Sequence, residues 1–224
     1  MRAVIIGNSD GIGLALTRRL RGDGWDVAGV SRSPGELTDV VADVTGPAYP
    51  DRLAEVVADG VDVCVYAAGT GELLDLADLA AQTRALEVNL VGAARTLEVV
   101  LPVMIAAGRG HVIGLSSIAD ATPNPAAPGY AASKAGLTSY LLGMRAALRP
   151  HGVAVSTIRF GFVDTKMAKS PVKPMMITAE RAVDVILRTL RTRAAVVSHP
   201  RPVSAVARLT APLVRASVRR RARP

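Results

Sequence analysis

Tyr130 and Lys134 stand four residues apart in the stretch Gly129-Tyr130-Ala131-Ala132-Ser133-Lys134-Ala135-Gly136. On a helix that spacing stacks two side chains on one face, one turn apart. An ammonium beside a phenol favours the phenolate and lowers its pKa. A tyrosine held that way exchanges a proton near neutral pH, which an isolated tyrosine does poorly. Ser117 lies thirteen residues earlier, at the end of the apolar run His111-Val112-Ile113-Gly114-Leu115. If that run is a strand, the Ser117 hydroxyl sits at its carboxyl end, where ligands bind in open α/β sheets. Alone, a Tyr-x-x-x-Lys pair is more often two surface neighbours than a catalytic pair, so the surrounding elements decide.

Those elements alternate strand and helix. Ala3-Val4-Ile5-Ile6 reads as a buried strand, followed by Gly7-Asn8-Ser9-Asp10-Gly11-Ile12-Gly13 and a helical pattern from Leu14 to Leu20. A glycine loop between strand and helix suits a dinucleotide: close backbone approach, with the pyrophosphate over the helix N-terminus. The next apolar run, Trp25 to Val30, ends in Ser31-Arg32-Ser33. An acid there would bind a ribose 2′-hydroxyl and favour NAD, whereas an arginine between serines suits the 2′-phosphate of NADP. Asp10 counts against the phosphate mildly, and NAD is the alternative cofactor. Leu37 to Val41 is expected as a third strand and 50–59 as a helix. Val61 to Tyr66 follows as a strand, then the small residues Ala67-Ala68-Gly69-Thr70-Gly71. One long helix is expected over 82–107, kinked at Asn89, whose side chain competes for backbone hydrogen bonds. The Tyr130 helix is expected to run from about 128 to 149. A strand over 153–159, a helix over 178–193 capped by Thr178, and a short strand over 194–198 complete the pattern. The expected fold is an α/β, doubly wound parallel sheet covered on both faces.

Composition agrees. The chain has 224 residues, 50% hydrophobic and 21% charged, enough for one domain with a substantial core. No stretch reads as long and apolar enough for a membrane span, and the first apolar run is too short for a signal peptide. The single cysteine, Cys64, lies in an apolar run and is expected as a buried hydrophobe, which fits a cytoplasmic protein. No metal site is expected. The net charge of +8 is uneven. Residues 199–224 hold seven arginines and no acid, while residues 1–198 carry 20 basic and 19 acidic side chains. A near-neutral body argues against nucleic-acid binding and makes the tail a separate question. The expected division is a domain over 1–198 and a basic tail over 199–224.

At this point the chain resembles the short-chain dehydrogenase/reductase family over about residues 3–198. The matching motifs are Gly7-x-x-x-Gly11-Ile12-Gly13, Asp43-Val44, Ala68-Gly69, Val88-Asn89-Leu90-x-Gly92, Ser117, Tyr130-x-x-x-Lys134 and Gly161-Phe162-Val163-Asp164-Thr165. The resemblance implies a Rossmann-type fold, hydride transfer between a nicotinamide and a carbonyl or alcohol, and a homodimer or homotetramer pairing the two long helices. It implies that Tyr130 is the general acid/base and that Lys134 holds the nicotinamide ribose and lowers the Tyr130 pKa. Ser117 would bond the substrate oxygen, and Asn89 would order a relay water. Asp43 and Val44 would contact adenine; Val163 and Thr165 would hold the nicotinamide amide.

Three positions depart from the family's usual pattern. Ile6 replaces a threonine, Tyr66 and Ala67 replace asparagines, and Phe160 replaces a proline. The first two changes are expected to be one repacking of polar into apolar contact. Phe160 is expected in the core, while Phe162 and Met167 are candidates for the substrate pocket. The segment 167–177, where the family usually carries a lid, is short and holds three of the six methionines, which suits an apolar substrate. In the tail, Val203, Val206, Ala207, Leu213, Val214 and Val218 recur at near-helical spacing, and Arg201, Arg208 and Arg215 every seven residues. That pattern suits peripheral contact with an anionic membrane, packing on this subunit or a neighbour, or a solvated, disordered end, with two short pieces broken by Pro202 and Pro212 expected rather than one long helix. The leading reading is an NADP-dependent oxidoreductase of an apolar small molecule. A regulatory dinucleotide-binding protein and a sugar-nucleotide isomerase or epimerase are the alternatives. The complete Ser117, Tyr130, Lys134 and Asn89 set disfavours the first, and the short segment after Thr165 disfavours the second.

Overall fold

A computed structural model describes residues 1–167 and 173–221; within the last helix it describes the side chains of 201–207, 209–212, 214 and 216. Seven parallel strands form one sheet in the order β3-β2-β1-β4-β5-β6-β7. They are β1 Arg2–Ile6, β2 Asp26–Ser31, β3 Val40–Val41, β4 Val63–Tyr66, β5 Gly110–Ser117, β6 Val153–Phe160 and β7 Val196–His199. The helices are α1 Gly11–Gly22, α2 Tyr49–Val57, α3 Ala80–Leu86, α4 Gly92–Ala106, α5 Pro128–Leu148, α6 Ala179–Thr192 and α7 Arg201–Arg221. One core layer joins the sheet to α2, α4 and α5 through Leu53, Leu97, Met104, Leu137 and Leu141. The other joins it to α1 and α6 through Leu16, Leu20, Val185 and Ile186. Strands covered on both faces must be apolar throughout, and the eight residues of β5 are all buried.

Four expectations are corrected. The third strand is two residues, Val40–Val41, because residues 37–39 are drawn into the first loop: Asn8 Nδ2 donates to the Leu37 carbonyl at 2.7 Å and Asp39 caps the Gly29 amide. The long helix is interrupted by a π-helical turn, Glu87–Val91, in which the Gly92 N–H reaches the Glu87 carbonyl. Such a turn inserts one residue, and here it carries Asn89. The run Ala80–Ala106 is nevertheless 27 continuous helical residues, long and apolar enough by composition to cross a membrane, contrary to the sequence reading. Half of its most apolar window is buried within the protein, with Val88, Ala93, Leu97, Val100 and Met104 inside the core, so it is a core helix.

The fourth correction concerns the tail. Residues 201–221 form one helix rather than two. Pro202 occupies the first turn, where its missing N–H is not needed, and Pro212 lies inside a helix that continues past it. The helix packs against the turn Ile118–Ala121 and β7. Of the segment 167–177, residues 168–172 lie outside the described residues, as do tail residues 222–224.

Candidate active site

Parallel strands leave all their carboxyl ends on one edge, and the connections after β1, β4, β5 and β6 meet there. β5 ends in Ser117, whose side chain accepts the Ala119 N–H at 3.1 Å and so caps the 118–121 turn. That leaves the Ser117 hydroxyl proton free, on the side of Tyr130, whose pKa the Ser117 side chain lowers. α5 begins at Pro128, with its first turn tied down by the Gly129 N–H donating to Gln82 Oε1 at 3.0 Å. The next turn brings Lys134 beneath Tyr130, its Nζ 5.8 Å from the ring centre. Lys134 is 4% exposed and donates to the Leu115 carbonyl at 2.9 Å. The connection after β4 closes the other side: a Cβ on Gly71 would lie 2.7 Å from the Tyr130 ring, so only glycine fits that approach.

The electrostatics differ from the sequence expectation. Burial pushes the Lys134 ammonium down to about 8. Burial also raises the Tyr130 pKa; the Ser117 hydrogen bond opposes this and the Asp120 charge adds to it. The lysine does not lower it here, because its ammonium is directed at the Leu115 carbonyl and not at the phenol oxygen.

Asn89 is fully buried. Its Oδ1 accepts the Thr70 N–H at 2.8 Å, and its Nδ2 donates to the Thr70 carbonyl at 2.8 Å and to Ser133 Oγ at 2.9 Å. Ser133 Oγ in turn donates to the Tyr130 carbonyl at 2.7 Å. The π turn therefore staples the connection after β4 to the helix that carries Tyr130 and Lys134. Tyr66 supports it from below by donating to the Val88 carbonyl. Ile6 and Tyr66 are direct neighbours across β1 and β4, but the expected loss of polar contact is corrected, since the Tyr66 hydroxyl supplies a new one.

The other end of the cleft is built by the first loop. Gly7 has φ +89°, and a Cβ there would lie 2.4 Å from the Ala68 amide nitrogen, so loop and β4 connection are in direct backbone contact. Asp10 caps α1 through the Gly11 N–H at 2.7 Å, and Lys166 pairs with Asp10 at 2.9 Å. Thr165 lies over Gly11: a Cβ there would be 3.0 Å from its Cγ2. Arg32 and Ser33 are exposed after β2, and Arg32 has no hydrogen bond or salt bridge among the described residues. Asp43 accepts from the Thr45 N–H and hydroxyl at 2.9 and 2.8 Å, and Val44 is buried beside Gly92. The connection after β6 brings Met167 back, its Cε 3.3 Å from where a Cβ on Gly69 would lie. Phe162 is half-buried at that edge, and Phe160 is in the core as expected.

Several candidate ligands turn inward. Asn8 is fully buried, clasping Leu37 and Thr38, and the Ser31 hydroxyl donates to the Ser33 carbonyl at 2.7 Å. Val163 is buried in the core, the partly buried side chains of Ile12 and Ala67 pack against that same core layer, and Ala68 lies in backbone contact with Gly7. Gly161 donates its N–H to the His199 carbonyl. The sequence reading missed Lys166, Thr70 and Ser133 as partners of Asp10 and Asn89. It also missed Asp120 and Arg159, whose signal was an arginine inside the otherwise uncharged strand Val153–Phe160. Among the described residues no three metal-ligating side chains converge.

A doubly wound sheet with a glycine loop, a serine at the end of the fifth strand and a Tyr-x-x-x-Lys helix defines a dinucleotide-binding α/β protein. The short chain dehydrogenase profile matches residues 1–175, and the chain belongs to that family of oxidoreductases, which bind a nicotinamide dinucleotide. It is 33% identical over 199 residues to an uncharacterized oxidoreductase of Myxococcus xanthus, covering 80% of this chain and 78% of that one. It is 26% identical over 190 residues to a very-long-chain 3-oxoacyl-CoA reductase of Aspergillus fumigatus, covering 75% of this chain and 55% of that longer protein. Among solved structures, a short chain dehydrogenase of Burkholderia cenocepacia in complex with NADP matches with TM-score 0.83 at 26% identity, over 100% of this chain and 98% of that one.

Proposed function

We propose that this protein is an NADP(H)-dependent oxidoreductase interconverting the carbonyl and alcohol of an apolar small molecule. The observation that carries it is Ser117 at the end of β5 together with Tyr130 and, 5.8 Å from its ring centre, the ammonium of a buried Lys134. The loop after β1 suits a dinucleotide by its backbone. Gly7 and Ala68 meet backbone to backbone, and the α1 amides of Ile12 and Gly13 have no acceptor among the described residues. A phosphate at that helix end finds free N–H groups and a favourable dipole. Exposed Arg32 supports the 2′-phosphate, and Lys166 offsets the Asp10 charge that spoke against it. The NADP complex of the Burkholderia cenocepacia relative points the same way.

Bound there, the nicotinamide supplies or accepts the hydride. The rest falls to side chains of this chain. Ser117 Oγ and Tyr130 Oη donate to the carbonyl oxygen, where negative charge builds. Tyr130 Oη gives up its proton to that oxygen, or takes one back in the oxidation. Lys134, its pKa lowered by burial to about 8, stands one turn away as the proton store and as a ribose ligand. Asn89 acts by holding Thr70 and Ser133 in place. Exposed Val91, Ile105 and Leu142 on α4, its preceding turn and α5 support a homodimer through those helices.

The test is thermal stabilisation by NADPH against NADH, followed by NADPH consumption on a panel of aliphatic and aromatic ketones. Tyr130→Phe keeps the ring and removes the proton, so cofactor binding persists while turnover falls by roughly 10²-fold or more. Near-normal turnover by that variant would reject the assignment.

A further inference from the structure

The edge of the sheet that carries Tyr130 is rimmed with apolar side chains that the catalytic reading does not use. Leu73, Leu76 and Leu79, between β4 and α3, are 53%, 81% and 56% exposed. Met175, between β6 and α6, is 54% exposed, and Val206 and Leu209 on α7 are 60% and 78% exposed. Soluble surfaces carry isolated apolar residues, but a group collected at one edge marks a contact. The group is held close to the site. Gly71 packs on the Tyr130 ring, and the Leu74 N–H donates to the Ala126 carbonyl at 2.7 Å. α7 packs on the 118–121 turn directly after Ser117.

The two sides of α7 are distinct. Val203, Ser204, Ala207, Ala211 and Val214 recur at helical spacing and are covered to different degrees by the protein. Val206 and Leu209, three residues apart, lie on the uncovered side. The segment 199–224 that contains this helix has seven arginines and no acid. A second copy would set the same arginines against each other. An anionic bilayer offers the opposite charge and an apolar interior together.

We propose that this edge docks on an anionic membrane surface. α7 lies in the headgroup layer with Val206 and Leu209 inserted, the Leu73–Leu79 segment touches the same surface, and apolar substrate reaches Tyr130 from the bilayer. The substrate part rests on the oxidoreductase reading above; the docking part does not.

The experiment is co-sedimentation of the full chain with vesicles of phosphatidylcholine, alone or mixed with phosphatidylglycerol. Binding to the anionic vesicles is expected to exceed binding to the neutral ones by about tenfold and to be lost at high salt. Leu209→Asp and Leu76→Asp are each expected to lower it about tenfold, with melting temperature and turnover of a water-soluble ketone unchanged. Val206→Asp replaces Leu209→Asp if the latter melts early. Equal binding to both vesicle types, or anionic binding that survives all these variants, overturns the proposal. So does a wild type that ignores vesicles while Leu209→Asp lowers its mass in light scattering, which makes the face an interface between copies. Tyr130→Phe is expected to bind vesicles like wild type. Vesicle binding by a wild type that reduces no ketone would sink the oxidoreductase reading and leave docking standing.

Discussion

Arg159 and Asp120 form a bidentate, buried ion pair directly behind Ser117, their side chains 8% and 4% exposed. Arg159 comes from β6 and Asp120 from the turn that Ser117 caps. The pair extends into α5: Thr138 donates to Asp120 at 2.7 Å, Ser116 and Thr138 share a 2.7 Å bond, and Ser116 donates to the Lys134 carbonyl at 3.1 Å. A buried pair gains little net stability over apolar packing, but losing one partner strands a charge. Asp120→Ala is therefore expected to lose roughly 3–5 kcal/mol. The double variant Asp120→Leu, Arg159→Met should recover most of it. Urea unfolding of the three proteins checks this; a single variant that costs as little as the double would mean the charges are not coupled.

Much of this arrangement is legible in the sequence because it is local. Strands buried on both faces read as apolar runs, and Tyr130 and Lys134 are one helical turn apart whatever surrounds them. Asn89 was recognisable as out of place in a helix, but the π turn depends on Tyr66 and Thr70, which lie elsewhere in the chain. The Asp10–Lys166 and Asp120–Arg159 pairs join separate connections and leave no periodic trace. The direction of the Tyr130 pKa could not be read from spacing either, since burial belongs to the whole fold and outweighs a lysine aimed elsewhere. The continuity of α7 escaped for the opposite reason: proline rules are local, while what α7 packs on is not.

Lys134 gives stability a pH dependence of definite sign. Its folded pKa is about 8 against an ordinary 10.5. Below pH 8 it is protonated in both states and its burial destabilises the fold. Between about 8 and 10.5 the unfolded chain binds more protons, so this contribution to stability improves as pH rises. The full effect is roughly 2–4 kcal/mol. Lys134→Met is expected to be more stable than wild type at pH 7, with the difference shrinking toward pH 10. A difference that stays constant across that range would rule out a depressed lysine.

Arg32 is expected to select the cofactor. It is exposed after β2, with Asp43 as its electrostatic neighbour. Arg32→Ala should weaken NADPH binding by roughly 1.5–3 kcal/mol, the scale of a hydrogen bond to a charged group, and barely change NADH binding. Titration calorimetry with both dinucleotides decides it. Equal losses for the two, or a wild type that prefers NADH, would remove the arginine from this role.

The Tyr66 hydroxyl should stabilise the π turn and, through it, the site. Tyr66 is fully buried, and its oxygen lies 2.5 Å from where a Cβ on Gly92 would be, so the turn closes on it tightly. Its donation to the Val88 carbonyl precedes by one residue the Asn89 side chain that clasps Thr70 and Ser133. Tyr66→Phe keeps the packing and removes that donor, at a cost of about 1–2 kcal/mol. Tyr66→Asn shortens the side chain as well and leaves a void under Gly92, so it is expected to cost more. If the turn positions Asn89, Tyr66→Phe also lowers turnover with little change in substrate KM, because Tyr66 itself reaches neither substrate nor cofactor. Urea midpoints and steady-state rates separate the two effects. Stability loss at unchanged turnover would make Tyr66 a purely structural residue, and no loss of either would show that the Val88 carbonyl does without it.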